Sequence, residues 1–225
     1  MQGVFVTGTD TSVGKTFISC GLANALRSSG VPVAARKPIE QRCKRRGGAL
    51  YPSDGLALTQ AAGYLENIDV VTPYRLSEAI SPGRTARSDR GQVDLAALIE
   101  AVHAGESHHF RLVEGAGGFL SPLALDGCNG DLAQALEFPV VIVTADRAGC
   151  VNHVRLTVEA VQQRGLRPAA VVVNVPDPSA PGAGDYRADL AAVLDLPIVA
   201  HSHGHPDWDA SMEVVRSFMP GATSE

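Results

Sequence analysis

The chain has 225 residues, 45% hydrophobic and 19% charged, with a formal net charge of −5. That balance excludes global disorder and argues against bulk nucleic-acid binding, and no apolar run reaches the roughly 18–20 residues that span a bilayer. The first residues carry no basic segment ahead of an apolar stretch, and the four cysteines (Cys20, Cys43, Cys128, Cys150) form no CxxC pair, so a cytoplasmic protein with reduced thiols is expected.

From the N-terminus, β-branched runs alternate with amphipathic stretches. A strand at 4–7 leads to a helix at 15–28 and a strand at 31–36. Helices at 54–62 and 94–103 precede a strand at 110–113. A helix at 130–136, a strand at 140–144, a helix at 151–164 and a strand at 169–174 follow, then a helix at 185–194, a strand at 198–200 and a last helix at 209–218. Gly30 and Gly165 stand where helices end in a left-handed residue, and Ser53-Asp54 and Asp94 offer N-cap side chains. The runs Val140-Val141-Ile142-Val143 and Ala170-Val171-Val172-Val173 are apolar at consecutive positions, as strands buried on both faces are. The expected fold is therefore α/β, a doubly wound, mostly parallel sheet flanked by helices, in one domain over residues 1–225. Segments 41–52 and 176–184 read as loops.

Within the first strand–helix unit stands Gly8-Thr9-Asp10-Thr11-Ser12-Val13-Gly14-Lys15-Thr16. Loop and helix-start N–H groups converge on phosphate oxygens, the lysine reaches the outer phosphates and the threonine hydroxyl suits Mg²⁺. The first glycine lies one residue earlier than the usual phosphate-loop spacing. A turn that merely joins strand to helix is the bland alternative. Only three of the 19 basic residues are lysine (Lys15, Lys37, Lys44), which draws attention to the first two as compact cations.

This loop, with its displaced glycine, resembles that of the dethiobiotin synthetases. Four further blocks resemble the same family in order: Arg36-Lys37-Pro38-Ile39-Glu40, Ser53-Asp54-Gly55, Val113-Glu114-Gly115-Ala116-Gly117-Gly118 and Gly149-Cys150-Val151-Asn152-His153. The resemblance implies a phosphate-loop NTPase-like fold and an ATP-dependent ligase of biotin biosynthesis. Its substrates would be 7,8-diaminononanoate and CO₂ or bicarbonate, closed to a cyclic urea with MgATP as co-substrate. It implies Lys37, Lys15 and Thr11 as catalytic residues, and Thr11, Ser12, Val13, Gly14, Lys15, Thr16, Phe17 and Asn174 as ATP-binding, with Asn174 reading adenine. Thr16, Asp54 and Glu114 would hold Mg²⁺. Lys37, Gly149, Cys150, Val151 and Asn152 would hold the substrate, the last four from the neighbouring subunit of a homodimer. Plainer readings stand beside these: Asp54 as a helix N-cap, Lys37 as a solvated loop charge, Asn174 as a turn starter.

Three segments depart from the family pattern. Gln41-Arg42 replaces a small hydroxyl residue and glycine, and opens a run with six basic residues between Arg36 and Arg46. That run reads as a solvated loop or as one that closes over phosphates. His201-Ser202-His203-Gly204-His205-Pro206 reads as a polar loop on the nucleotide side or, with alternating imidazoles, as a Zn²⁺ site. Ser81-Pro82-Gly83 stands where the family has a histidine after the proline. A related ligase with another substrate and a nucleotide-binding paralogue with reduced turnover are the alternatives. A dimerising ATPase switch is disfavoured, because residues 8–14 lack the second lysine such switches carry.

Overall fold

The structure, a computed structural model, describes residues 2–78, 87–88, 91–106, 108–175, 184–201 and 208–219. β1 (Gly3–Gly8) enters α1 (Lys15–Ser28), followed by β2 (Val33–Arg36) and the short β3 (Ile39–Glu40), β4 (Lys44–Arg46) and β5 (Ala49–Tyr51). Next come α2 (Ser53–Ala61), α3 (Ile68–Val71), β6 (Tyr74–Arg75), β7 (Arg87–Ser88), β8 (Gly91–Gln92) and α4 (Leu95–His103). The second half runs β9 (Phe110–Gly118), α5 (Asn129–Leu136), β10 (Val140–Ala145), α6 (Cys150–Gln163), β11 (Pro168–Asn174), α7 (Arg187–Val193), β12 (Ile198–His201) and α8 (Trp208–Phe218).

Six strands form one parallel sheet in the order β12-β11-β10-β1-β9-β2. Alternate residues of a strand serve opposite layers, as consecutive apolar positions require. Val141, Val143 and Val172 pack with α1 and α8, whereas Val140, Ile142, Val171 and Val173 pack with α5 and α6. From β1 the chain moves outward to β2 and later returns to the other side through β10. The carboxyl ends of β1, β9 and β10 therefore flank the point where strand order reverses, the place where open α/β sheets bind ligands.

Three local features refine the sequence reading. β9 runs on to Gly118, and its register against β1 shifts between the pairs Val6–Glu114 and Gly8–Gly118. The bulge lies between Glu114 and Gly118, and Gly117 adopts φ 82° within it. Segment 41–52 is not a plain loop, because β4 and β5 pair antiparallel across it around Gly47-Gly48. Asp54 is not an N-cap. α2 begins at Ser53 behind Pro52, and its exposed amides are taken by Glu40 of β3, whose carboxylate accepts from Asp54 N (3.1 Å) and Gly55 N (2.8 Å). The caps expected at Asp94, Gly30 and Gly165 are present: Asp94 accepts from Ala97 N at 2.8 Å, and both glycines have positive φ. Residues 81–83, 176–183 and 202–206 lie outside the described residues.

Candidate active site

α1 starts without a side-chain cap, and Gly14 before it is left-handed at φ 95°. Its first amides are thus unspent and face the loop that β1 delivers. The loop is fastened from several sides. Thr9 N donates to Val143 O at 2.9 Å and Thr9 Oγ1 to Thr144 Oγ1 at 3.1 Å. Lys15 Nζ folds back to Asp10 O at 2.9 Å, and Arg147 holds the Asp10 carboxylate at 3.1 Å. Asn174, at the end of β11, lies beneath the loop and donates Nδ2 to Val13 O at 3.0 Å. A Cβ on Gly14 would collide with that amide.

Lys37 follows β2 and is 3% exposed. Its Nζ donates to Glu114 Oε1, to Asp54 Oδ2 at 3.0 Å and to Gly115 O at 3.4 Å. Burial alone would lower its pKa, but the Glu114 and Asp54 carboxylates outweigh burial and hold it above the ordinary lysine value. Lys15 shows the opposite balance: burial first, then the charge of Lys37, push it down to about 8. Glu114, at 1% exposure, accepts from Thr16 Oγ1 at 2.8 Å on the same oxygen that Lys37 uses. Its second oxygen is buried without a hydrogen-bond partner among the described residues. The neighbouring Cys20 thiol is pushed up to about 12 by burial and then by Glu114 and Asp54, which disfavours its thiolate.

These groups share a cavity of about 410 Å³ whose walls include Thr11, Ser12, Gly14, Lys15, Thr16, Phe17, Lys37, Asp54 and Glu114. Val13 and Asn174 support the cavity from behind rather than line it. Gly149, Cys150, Val151 and Asn152 lie at the start of α6 and do not line it within one chain. They adjoin a second groove of about 420 Å³, lined in part by Leu120, His153 and Leu156, which shares Ser121 and Pro122 with the first. The exposed leucines Leu120 (58%) and Leu156 (57%) stand along it. His201 packs its imidazole edge-on to Phe17 at 5.1 Å. Among the described residues no group of three or more His, Cys, Asp and Glu is placed to hold a metal, so the Zn²⁺ reading of the histidine run has no support within them.

Two residues escaped the sequence reading as parts of this site. Glu40 had no assigned role, and nothing local in Ile39-Glu40 says that its carboxylate caps a helix from another element. Asn129, fully buried at the start of α5, pins the bulge after Glu114. Its Oδ1 accepts from Ala116 N at 2.9 Å, and its Nδ2 donates to Ala116 O, Gly118 O and Ser121 O at 2.8–3.1 Å. An asparagine at a helix start reads as a cap, so the sequence signal pointed elsewhere.

A hydroxyl, two carboxylates and two lysines around a phosphate-binding loop match the requirements of phosphoryl transfer. Residues 2–208 match the family model of an AAA domain. The chain is 41% identical to the ATP-dependent dethiobiotin synthetase of Anaeromyxobacter dehalogenans, over 80% of this chain and 82% of that one. It is 39% identical to the protein of the same description from Pseudomonas aeruginosa, over 88% and 87%. Among solved structures it is similar to the MinD cell division protein of Aquifex aeolicus, with a TM-score of 0.58, 14% identity and coverage of 99% and 98%. The septum site-determining protein MinD with Mg-ADP from Pyrococcus horikoshii gives a TM-score of 0.51, 15% identity and coverage of 99% and 90%. These last two likenesses concern the fold alone.

Proposed function

The chain belongs to the ATP-dependent dethiobiotin synthetases, carbon–nitrogen ligases of biotin biosynthesis, and on that premise we propose how its cavity serves the reaction. CO₂ adds to one amine of 7,8-diaminononanoate to give a carbamate. The γ-phosphoryl group of ATP passes to a carbamate oxygen, turning a poor electrophile into a mixed anhydride. The second amine then attacks the carbonyl carbon, phosphate departs, and the cyclic urea closes.

The amides at the start of α1 and Lys15 receive the phosphates, with Thr11, Ser12 and Phe17 at the mouth. Lys37 lies on the Glu114 side and places its ammonium against the carbamate and the transferring group, where charge grows most in the transition state. Asn174 spends its amide nitrogen on Val13, and its carbonyl oxygen remains as an acceptor for an amino group on the base. Thr16, Asp54 and Glu114 are hard oxygen donors suited to Mg²⁺, and the unpartnered Glu114 oxygen fits a cation there. Bound at these residues, Mg²⁺ supplies charge neutralisation for phosphate oxygens. The activity resides in one domain. Gly149, Cys150, Val151 and Asn152 at the α6 N-terminus receive the carboxylate of the diamine bound to a second copy of the chain, and the exposed Leu120 and Leu156 beside them favour a homodimer.

The observation that carries this reading is the single Glu114 oxygen shared by Thr16 of the phosphate loop and Lys37 just past the second strand. It joins a nucleotide site to a carbamate site through one side chain. The protein, incubated with diaminononanoate, bicarbonate and MgATP, is expected to yield dethiobiotin by mass spectrometry and to release phosphate only with the diamine present. Phosphate release independent of the diamine would refute the reading.

A further inference from the structure

Arg42 stands where the backbone leaves β3, on the wall of the main cavity with Lys37, Asp54 and Glu114. Its φ is 59°, in the left-handed region that residues with a Cβ enter at a cost. The conformation is imposed from both sides. Leu76 N donates to Glu40 O at 2.8 Å, and Cys43 N donates back to Leu76 O at 2.8 Å. Both bonds go to Leu76 in the sense of the parallel β3–β6 pairing but span one residue more than a regular ladder, so the chain bulges at Arg42 while Cys43 stays buried at 6% exposure. A left-handed residue in a bulge of this kind suits glycine. Here it carries a long cationic side chain.

The charges around Arg42 are already committed. Lys15 is bonded to the Asp10 carbonyl, and Lys37 is held by both Glu114 and Asp54. Glu40 serves the start of α2. Arg42 has no hydrogen bond or ion pair among the described residues, and its side chain is exposed to the cavity. An unspent guanidinium facing a polar cavity is the donor best shaped for a planar, two-oxygen anion, because its parallel N–H groups match carboxylate geometry. A carbamate is such an anion, whereas a phosphoryl group is tetrahedral and is already served by the α1 amides.

We propose that Arg42 is a substrate-binding residue that grips the carbamate of the bound diamine, in a strained backbone position that holds its side chain at the cavity wall. The proposal rests on the dethiobiotin synthetase reading and adds a residue to it. It predicts opposite effects on binding and on stability. In R42G the strain is relieved, so the melting temperature should rise above wild type. The KM for the diamine should nonetheless increase about tenfold, from loss of one charge-assisted contact. R42A should show the same KM defect without the gain in stability, and R42K should recover part of it. Calorimetric affinity for MgADP should stay within about twofold in all three variants.

Diamine-dependent phosphate release with the same KM in wild type and R42A would overturn this proposal alone. A loss of MgADP affinity as large as the KM defect would also overturn it, by making Arg42 a phosphate ligand. Phosphate release that ignores the diamine in wild type would remove the functional reading and this proposal with it.

Discussion

Removing the Lys37 ammonium leaves Asp54 and Glu114 without the cation that joins them, and removes a positive charge where the transferring phosphoryl group develops its own. Lys37→Gln is therefore expected to lower kcat for diamine-dependent phosphate release by roughly 10²–10³-fold. MgADP affinity, governed mainly by the α1 amides and Lys15, should change far less. Phosphate-release kinetics alongside calorimetry separate the two effects, and a variant within about threefold of wild type would discard the catalytic role. At this scale the sequence pointed to Lys37 through its rarity and its place beside Pro38. The two carboxylates that hold Lys37 come from α2 and β9, and their meeting is a matter of three-dimensional arrangement. Asp54 shows the same limit. Locally Ser53-Asp54 is a plausible cap, yet Glu40 from β3 performs that service and leaves the Asp54 carboxylate for Lys37.

The strand–loop–helix unit of β1 and α1 depends on a backbone shape that its glycines permit. Gly14 has φ 95°, and any Cβ there would strike Asn174. Gly14→Ala should introduce ~1–3 kcal/mol of strain and push the loop off Asn174. Lower thermal stability and weaker MgADP binding are expected together, the first by melting and the second by calorimetry. Wild-type affinity in this variant would show that the loop geometry tolerates a side chain. α1 was legible to the residue, because its start is fixed by Gly-Lys-Thr and its end by Gly30. The β4–β5 ribbon was not legible: basic residues on exposed strands look like a solvated run, since the short pairing leaves no apolar alternation to read. The extension of β9 through Glu114-Gly-Ala-Gly-Gly was missed for a related reason. Glycines weaken a strand signal, and here they serve a bulge stabilised from α5 by Asn129.

Across the whole molecule, the sheet's outer end is tied to its helices by a buried charge cluster. Arg36 and Arg111 are fully buried. Glu66 accepts from Arg36 at 2.8 Å, and Arg111 donates to Ala104 O at 3.1 Å, a carbonyl that Arg36 also engages. Burial pushes the Glu66 carboxyl up, but the Arg36 hydrogen bonds and the two guanidinium charges outweigh it and hold it below the ordinary glutamate value. Because the folded value is depressed, this carboxylate stabilises the fold above the unfolded glutamate value, and its contribution is lost as pH falls through the folded one. Glu66→Ala leaves two buried guanidinium groups without their carboxylate and should cost about 3–5 kcal/mol near neutrality. It should also flatten the acid limb of the stability curve, as urea unfolding across the acid range would reveal. Equal acid sensitivity in variant and wild type would assign that limb to other carboxylates. The sequence by itself determined the alternation of strands and helices, the parallel sheet and the phosphate loop, because apolar periodicity, helix ends and a contiguous loop are local properties of the chain. Only the tertiary structure decided that Glu40 caps α2, that Asn129 braces the bulge, that Lys37 joins two acids and that Arg42 stands on the cavity wall with no partner among the described residues. Each of these depends on which groups from distant elements meet at the carboxyl edge of the sheet, and burial obliges Glu40, Asn129 and Lys37 to find their partners there.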